Sequence, residues 1–101
     1  MQPIDRSCAV VEPDHPALAG HFPGRPVVPG VVLLDLVAHA LRAAKGASAE
    51  ITGVRAAKFR SPVLPGESMV IELAARADGE VAFRILRDGT LVADGTLYVI
   101  V

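Results

Sequence analysis

The sequence has few cysteines and few aromatic residues, and both are typical of particular classes of protein. Its 101 residues include one cysteine, no tryptophan, one tyrosine and three phenylalanines. A lone Cys8 cannot form an internal disulfide bond, which excludes a small secreted domain held together by disulfides. Ten basic residues nearly balance eleven acidic ones and form no basic block, and the few aromatic rings offer little for base stacking. Nucleic acid is therefore not the expected partner.

Long apolar runs are also absent. The longest, residues 27–44, is interrupted by a proline, a glycine and three polar side chains, and it falls short of the ~20 apolar residues that a membrane-spanning helix needs. The first ten residues lack the positively charged region and apolar stretch of a secretory signal. We therefore expect a cytoplasmic protein with no membrane span.

Apolar residues are nevertheless abundant, at 51% of the chain. A domain of about 100 residues buries only about two-thirds of the surface of its unfolded chain, so this composition leaves apolar surface uncovered. We expect one domain over residues 1–101 that uses this surface to form a homodimer or a higher oligomer.

The residue pattern predicts one strand, one helix and four further strands. The first strand covers residues 7–12, the helix runs from about 29 to 45, and the later strands cover 51–60, 67–76, 80–87 and 90–101. Asp78-Gly79 and Asp88-Gly89 are typical of tight hairpin turns. This order predicts an α+β fold in which a curved antiparallel sheet wraps around one long helix.

Two motifs resemble one enzyme family. The stretch GHFPGRPVVPGVVLLD, residues 20–35, resembles the signature of the hotdog-fold 3-hydroxyacyl-acyl-carrier-protein dehydratases, in particular the small members of aryl polyene biosynthesis. In that family H-F-P-G-x-P-x-x-P-G opens the central helix, and an acid follows fourteen residues after the His. AAKFRSPVLPGE, residues 56–67, is similar to the family's F-x-x-P-V-x-P-G-[DE] connection. The resemblance implies a dimeric hotdog fold.

The activity that the resemblance implies is dehydration of 3-hydroxyacyl thioesters, carried by acyl-carrier protein or CoA, to trans-2-enoyl thioesters. This reaction needs a base for the α-proton, an acid for the β-hydroxyl and donors for the thioester oxygen. His21 suits the base, and Asp35, where the family usually has Glu, suits the acid or a group that orients water. The backbone N–H groups of Gly30 and Val31 suit the oxygen because they begin a helix. The family takes the His and the acid of one site from different subunits.

Three further positions are expected near the substrate, namely Phe22, Phe59 and His39. His39 follows Asp35 by one helical turn, which predicts a hydrogen bond between them. An alternative interpretation makes Asp35 a structural carboxylate, paired with His39 or Arg42 in a polar stripe. Cys8 is expected to be a small buried residue of the first strand. No metal or redox cofactor is expected, because the sequence has neither a ligand cluster nor a nucleotide-binding loop.

Two other functions fit the same fold. A thioesterase would use the acid on the central helix to activate water and the Gly30 amide to polarise the thioester carbonyl, but hydrolysis does not need the His of the H-F-P-G motif. A non-catalytic protein that binds acyl thioesters is suggested by the Asp at position 35 and by the short chain.

Overall fold

The computed structural model describes residues 5–16 and 27–101. The elements are β1 (Asp5–Ala9), α1 (Gly30–Lys45), β2 (Glu50–Phe59), β3 (Met69–Ala75), β4 (Glu80–Arg87) and β5 (Thr90–Ile100). All five strands form one antiparallel sheet in the order β1-β3-β4-β5-β2. The predicted order of elements is confirmed, and the last three strands form the expected meander.

The helix packs on one face of this sheet because its apolar residues recur at helical spacing. Val32, Leu33, Val37 and Leu41 are buried against core residues of the sheet such as Phe83. The opposite face of α1 stays open to solvent. In the part of the chain that the structure describes, no helix has the length and apolar character needed to cross a membrane.

The first strand differs from its prediction. It ends at Ala9 rather than at residue 12, because the Val11 carbonyl accepts a hydrogen bond from the Gly66 N–H (2.8 Å) instead of continuing the ladder with β3. Cys8 is exposed, so the expectation of a buried cysteine is wrong. Successive side chains of a strand alternate between faces, and Cys8 lies with Arg6 on the face turned away from the helix.

The two hairpin signals give two kinds of turn. Asp88 and Gly89 form a two-residue connection with positive φ at both positions (51° and 78°), as predicted for a tight hairpin. Asp78 and Gly79 belong to a four-residue connection, in which the Glu80 N–H donates to the Ala77 carbonyl (2.9 Å).

Charged residues cross the outer face of the sheet, the face turned away from α1, in one register. We call this set the charged row. Strand pairing aligns a basic or an acidic side chain from each strand in alternating order: Arg6, Glu72, Arg84, Asp94 and Lys58. Within the row, ion pairs join Arg6 and Arg84 to Glu72 and so link β1, β3 and β4. Asp94 of β5 pairs instead with Arg60, just after β2, at 2.9 Å.

Candidate active site

At the start of α1, two backbone N–H groups have no hydrogen-bond acceptor among the described residues. Pro29 has extended backbone angles (φ −62°, ψ 148°), and none of the described side chains caps the helix with a hydrogen bond. The Pro29 carbonyl accepts from the N–H groups of Val32 (3.0 Å) and Leu33 (3.3 Å). The first two amides of the helix, those of Gly30 and Val31, have no such acceptor among the described residues. The positive end of the helix therefore offers two donors to an oxygen that gains negative charge.

A cleft lies beside these donors. It has a volume of about 340 Å³, and one wall is the segment 27–30 with Leu33, while residues 59–63 form the other. The Phe59 ring packs directly on Gly30, since a Cβ added there would lie 3.0 Å from the ring atom Cζ. Only a glycine allows this contact without displacing the ring. The structure thus brings together two of the predicted site residues, Gly30 and Phe59, around a mostly apolar cleft.

The predicted acid lies on the solvent-facing side of the helix. Asp35 is exposed and shares an open depression of about 430 Å³ with Val31, Leu34, Arg42 and Ile51, among others. Val31 is 67% exposed although it is apolar. Within a single chain, this depression is open to solvent.

The polar stripe of the helix is present, but its side chains do not pair. Asp35 and His39 are both exposed, and within the described residues neither a hydrogen bond nor an ion pair joins Asp35 to His39 or Arg42. The expected Asp35 to His39 bond is therefore wrong for the single chain, in which both side chains are exposed and water can solvate them. His39 lines neither the cleft nor the depression.

Two predicted site residues, His21 and Phe22, lie outside the described residues. The structure describes the chain on both sides of them, at Val11 and at Val28. Both of these residues are buried and belong to the hydrophobic core.

The loop between β2 and β3, residues 60–68, contacts both of those flanking positions. The Val28 N–H donates to the Val63 carbonyl (2.8 Å), and the Gly66 N–H donates to the Val11 carbonyl (2.8 Å). The F-x-x-P-V-x-P-G-E motif marked this loop in the sequence. It gave no indication of Arg87, which donates to the Pro62 carbonyl at 2.5 Å and lies 3.3 Å from Glu67 Oε1.

Sequence reasoning also missed Glu72. Its side chain is inaccessible to solvent and accepts hydrogen bonds on both oxygens, from Arg6 Nε at 2.9 Å on Oε2 and from Arg84 Nε at 2.9 Å on Oε1. The hydrogen bonds from Arg84 and then from Arg6 hold the pKa of Glu72 below its ordinary value and outweigh the opposing effect of burial. An acidic residue inside the apolar segment MVIELAA was the only signal.

Comparison with solved structures defines the fold. The dehydratase heterocomplex ApeI:P from Xenorhabdus doucetiae superposes with a TM-score of 0.82 at 22% identity over all of both chains. The (R)-hydratase of A. caviae involved in PHA biosynthesis gives 0.75 at 22% identity over 94% of this chain and 91% of that one. Both likenesses concern the fold, and the chain accordingly has the hotdog fold that the two motifs implied.

Comparison of sequences gives the family. The model of the ApeI-like family, described as ApeI dehydratase, matches residues 5–96. A 3-hydroxyacyl-acyl-carrier-protein dehydratase, FabZ of Thermus thermophilus, is 41% identical over 96 residues, which cover 83% of this chain and 68% of that protein. FabZ of Klebsiella pneumoniae is 30% identical over 91% of this chain and 70% of its own length. The chain belongs to the ApeI-like dehydratases.

Proposed function

We propose that this dehydratase acts on 3-hydroxyacyl thioesters attached to acyl-carrier protein, converts them to trans-2-enoyl thioesters, and works as a homodimer. The observation that carries the proposal is the start of α1, where two amides without helical partners lie beside an apolar cleft. The amides of Gly30 and Val31 suit the thioester oxygen, and the cleft lined by Phe59 suits an acyl chain. The two FabZ relatives are named for this substrate class.

The proposed reaction uses one base and one acid. The His21 imidazole removes the α-proton, and the resulting negative charge on the thioester oxygen is stabilised by the amides of Gly30 and Val31. Asp35 of the facing chain donates a proton to the β-hydroxyl, the bond from carbon to that oxygen breaks, and water leaves as the double bond forms. Transfer of the proton from His21 to Asp35 then restores both groups.

The exposure of Asp35 in a single chain is consistent with this assignment. A carboxyl that must meet a substrate held by another subunit cannot be covered by its own chain. The open depression around Asp35 supplies one wall of a site, with apolar side chains from Val31, Leu34 and Ile51. A facing chain would supply the other wall and the His21 base.

The test is an assay with a 3-hydroxyacyl thioester and with the matching 2-enoyl thioester. We expect interconversion of the two without release of free thiol, and a loss of roughly 10²- to 10⁴-fold in kcat for His21→Ala, the usual range for removal of a general base. Cys8→Ser, on the outer face of the sheet, is the matched control and should keep the wild-type rate. Thiol release would indicate the thioesterase, and a full rate in His21→Ala would overturn the mechanism.

A further inference from the structure

The wall of the cleft formed by residues 59–63 is held from behind by a side chain that does not line the cleft. Arg87 is the last residue of β4, and its guanidinium reaches the loop between β2 and β3. It donates to the Pro62 carbonyl (2.5 Å) and lies 3.3 Å from Glu67 Oε1. The same Oε1 atom accepts from the Leu64 N–H at 2.7 Å. One arginine and one glutamate thus tie together both ends of the stretch 62–67.

That stretch in turn holds the chain on both sides of His21. The Val63 carbonyl binds the Val28 N–H, and the Gly66 N–H binds the Val11 carbonyl, both at 2.8 Å. In sequence, His21 lies between Val11 and Val28, and α1 begins two residues after Val28. The position of the loop therefore fixes the two ends of the segment that carries the proposed base, and it also fixes the chain that leads into the amide donors.

The environment of the pair favours a fixed geometry. The Arg87 side chain is 23% exposed and that of Glu67 is 34% exposed, so both are largely covered. A planar guanidinium with several donors can bind a carbonyl and a carboxylate together, which an ammonium cannot do with the same geometry. By contrast, Arg55, which donates to Glu80 Oε1 at 3.0 Å, is 57% exposed and joins no loop of the cleft.

We infer that Arg87 and Glu67 form a clamp that positions the catalytic groups of this dehydratase, with Arg87 as a positioning residue that acts through the loop at 62–67. The inference rests on the proposed function for its effect on the rate. Reactions of this kind are sensitive to placement, since a misplacement of about 1 Å can lower a rate on the order of 100-fold. The clamp supports the cleft from outside, so its loss should change the rate of the chemical step more than the binding of substrate.

The test compares Arg87→Met with Arg55→Met in a dehydration assay on a small soluble 3-hydroxyacyl thioester. For Arg87→Met we expect kcat to fall roughly tenfold while KM stays within about twofold of wild type. Arg87→Lys keeps the positive charge and an N–H donor group but not the planar guanidinium, so it should recover part of that loss. Arg55→Met should keep the wild-type kcat. Equal kcat values for Arg87→Met and Arg55→Met would overturn the clamp.

Hydrogen exchange of single backbone amides provides the second measurement. In Arg87→Met the Val28 amide should exchange faster, because its acceptor is on the released loop, while the Leu73 amide in the core of β3 should keep its wild-type rate. An unchanged Val28 rate, or equal acceleration of Leu73 through general destabilisation, would contradict the inference. Hydrogen exchange does not depend on catalysis. If the wild-type protein showed no dehydratase activity, the proposed function would be wrong, and the exchange rates of Val28 and Leu73 would still decide whether Arg87 holds the loop.

Discussion

Among the described residues, Glu72 is the charged residue whose side chain is fully buried. It lies in β3 between Arg6 of β1 and Arg84 of β4, and its carboxylate is closed off from solvent by the two guanidiniums that it binds. A buried carboxylate is stable only when its oxygens are fully hydrogen-bonded, and here each oxygen has an arginine donor. Glu72 therefore joins three strands as a charged centre of the outer face.

The lowered pKa of Glu72 predicts how stability depends on pH. A carboxyl whose pKa in the folded protein lies below its ordinary value of 4.5 stabilises the fold above that pH, and this contribution is lost as the pH falls through the folded-state pKa. In urea unfolding at a series of pH values, Glu72→Gln should be less stable than wild type at pH 7, and the difference should narrow below pH 4.5.

The control for this prediction is Glu80→Gln. Glu80, 17% exposed, binds a single arginine, Arg55, which is 57% exposed, and an ion pair with one partner in solvent contributes little, so the stability of Glu80→Gln should follow the wild-type dependence on pH. A difference between Glu72→Gln and wild type that stayed constant down to pH 2 would contradict the assigned role of the Glu72 carboxylate.

At the scale of elements, the packing of β5 between β2 and β4 requires a glycine at position 95. Gly95 pairs with Ala57 of β2 and with Phe83 of β4. A Cβ at this position would lie 2.2 Å from the Ala56 carbonyl oxygen and 2.7 Å from Phe83 Cε1. The register of β2 against β5 shifts between Val54 and Ala56, just before this contact. The irregularity lets the backbone of β2 approach β5 more closely than any side chain would allow.

Gly95→Ala should therefore destabilise the protein by about 3 kcal/mol, since the clash is with backbone that cannot rotate away. Gly53→Ala is the matched control in β2, because its Cβ would meet only the Tyr98 side chain at 3.3 Å, and its stability should stay within about 1 kcal/mol of wild type. The midpoint of urea unfolding measures both. Equal midpoints for the two variants would show that the backbone of β2 can move away from a Cβ at position 95.

The elements also show what the sequence could predict. The helix, β4 and the two-residue turn at Asp88 were predicted closely because apolar spacing and turn residues are local signals. The end of β1 was not, because the Val11 carbonyl pairs with a loop more than 50 residues away in sequence, and no local pattern encodes that choice. In the site, the two motifs marked Gly30 and Phe59 as separate site residues, but their contact, like those of Arg87 and Glu72, is tertiary and is not displayed by a single sequence.

At the scale of the whole molecule, two regions have no partner element within the described residues, namely the outer edge of β2 and the exposed stripe of α1. Among the described strands, β2 pairs with β5 alone and lies at one edge of the sheet, and its Val54 is 47% exposed. On the helix, the stripe with Val31 and Asp35 is open. In the proposed homodimer a second copy covers both regions, and each site combines His21 of one chain with Asp35 of the other.

This arrangement predicts complementation between two inactive variants. His21→Ala and Asp35→Asn should each be inactive alone, but in a mixed dimer of the two, one site carries both substitutions and the other carries neither. Since random assembly of equal amounts makes half of the dimers mixed, co-expression should restore roughly one quarter of the wild-type rate per site. The measurement is the dehydration rate of the co-expressed pair against each variant alone, with the dimer verified by light scattering. A dimer in which co-expression restored no activity would place His21 and Asp35 of each site on the same chain.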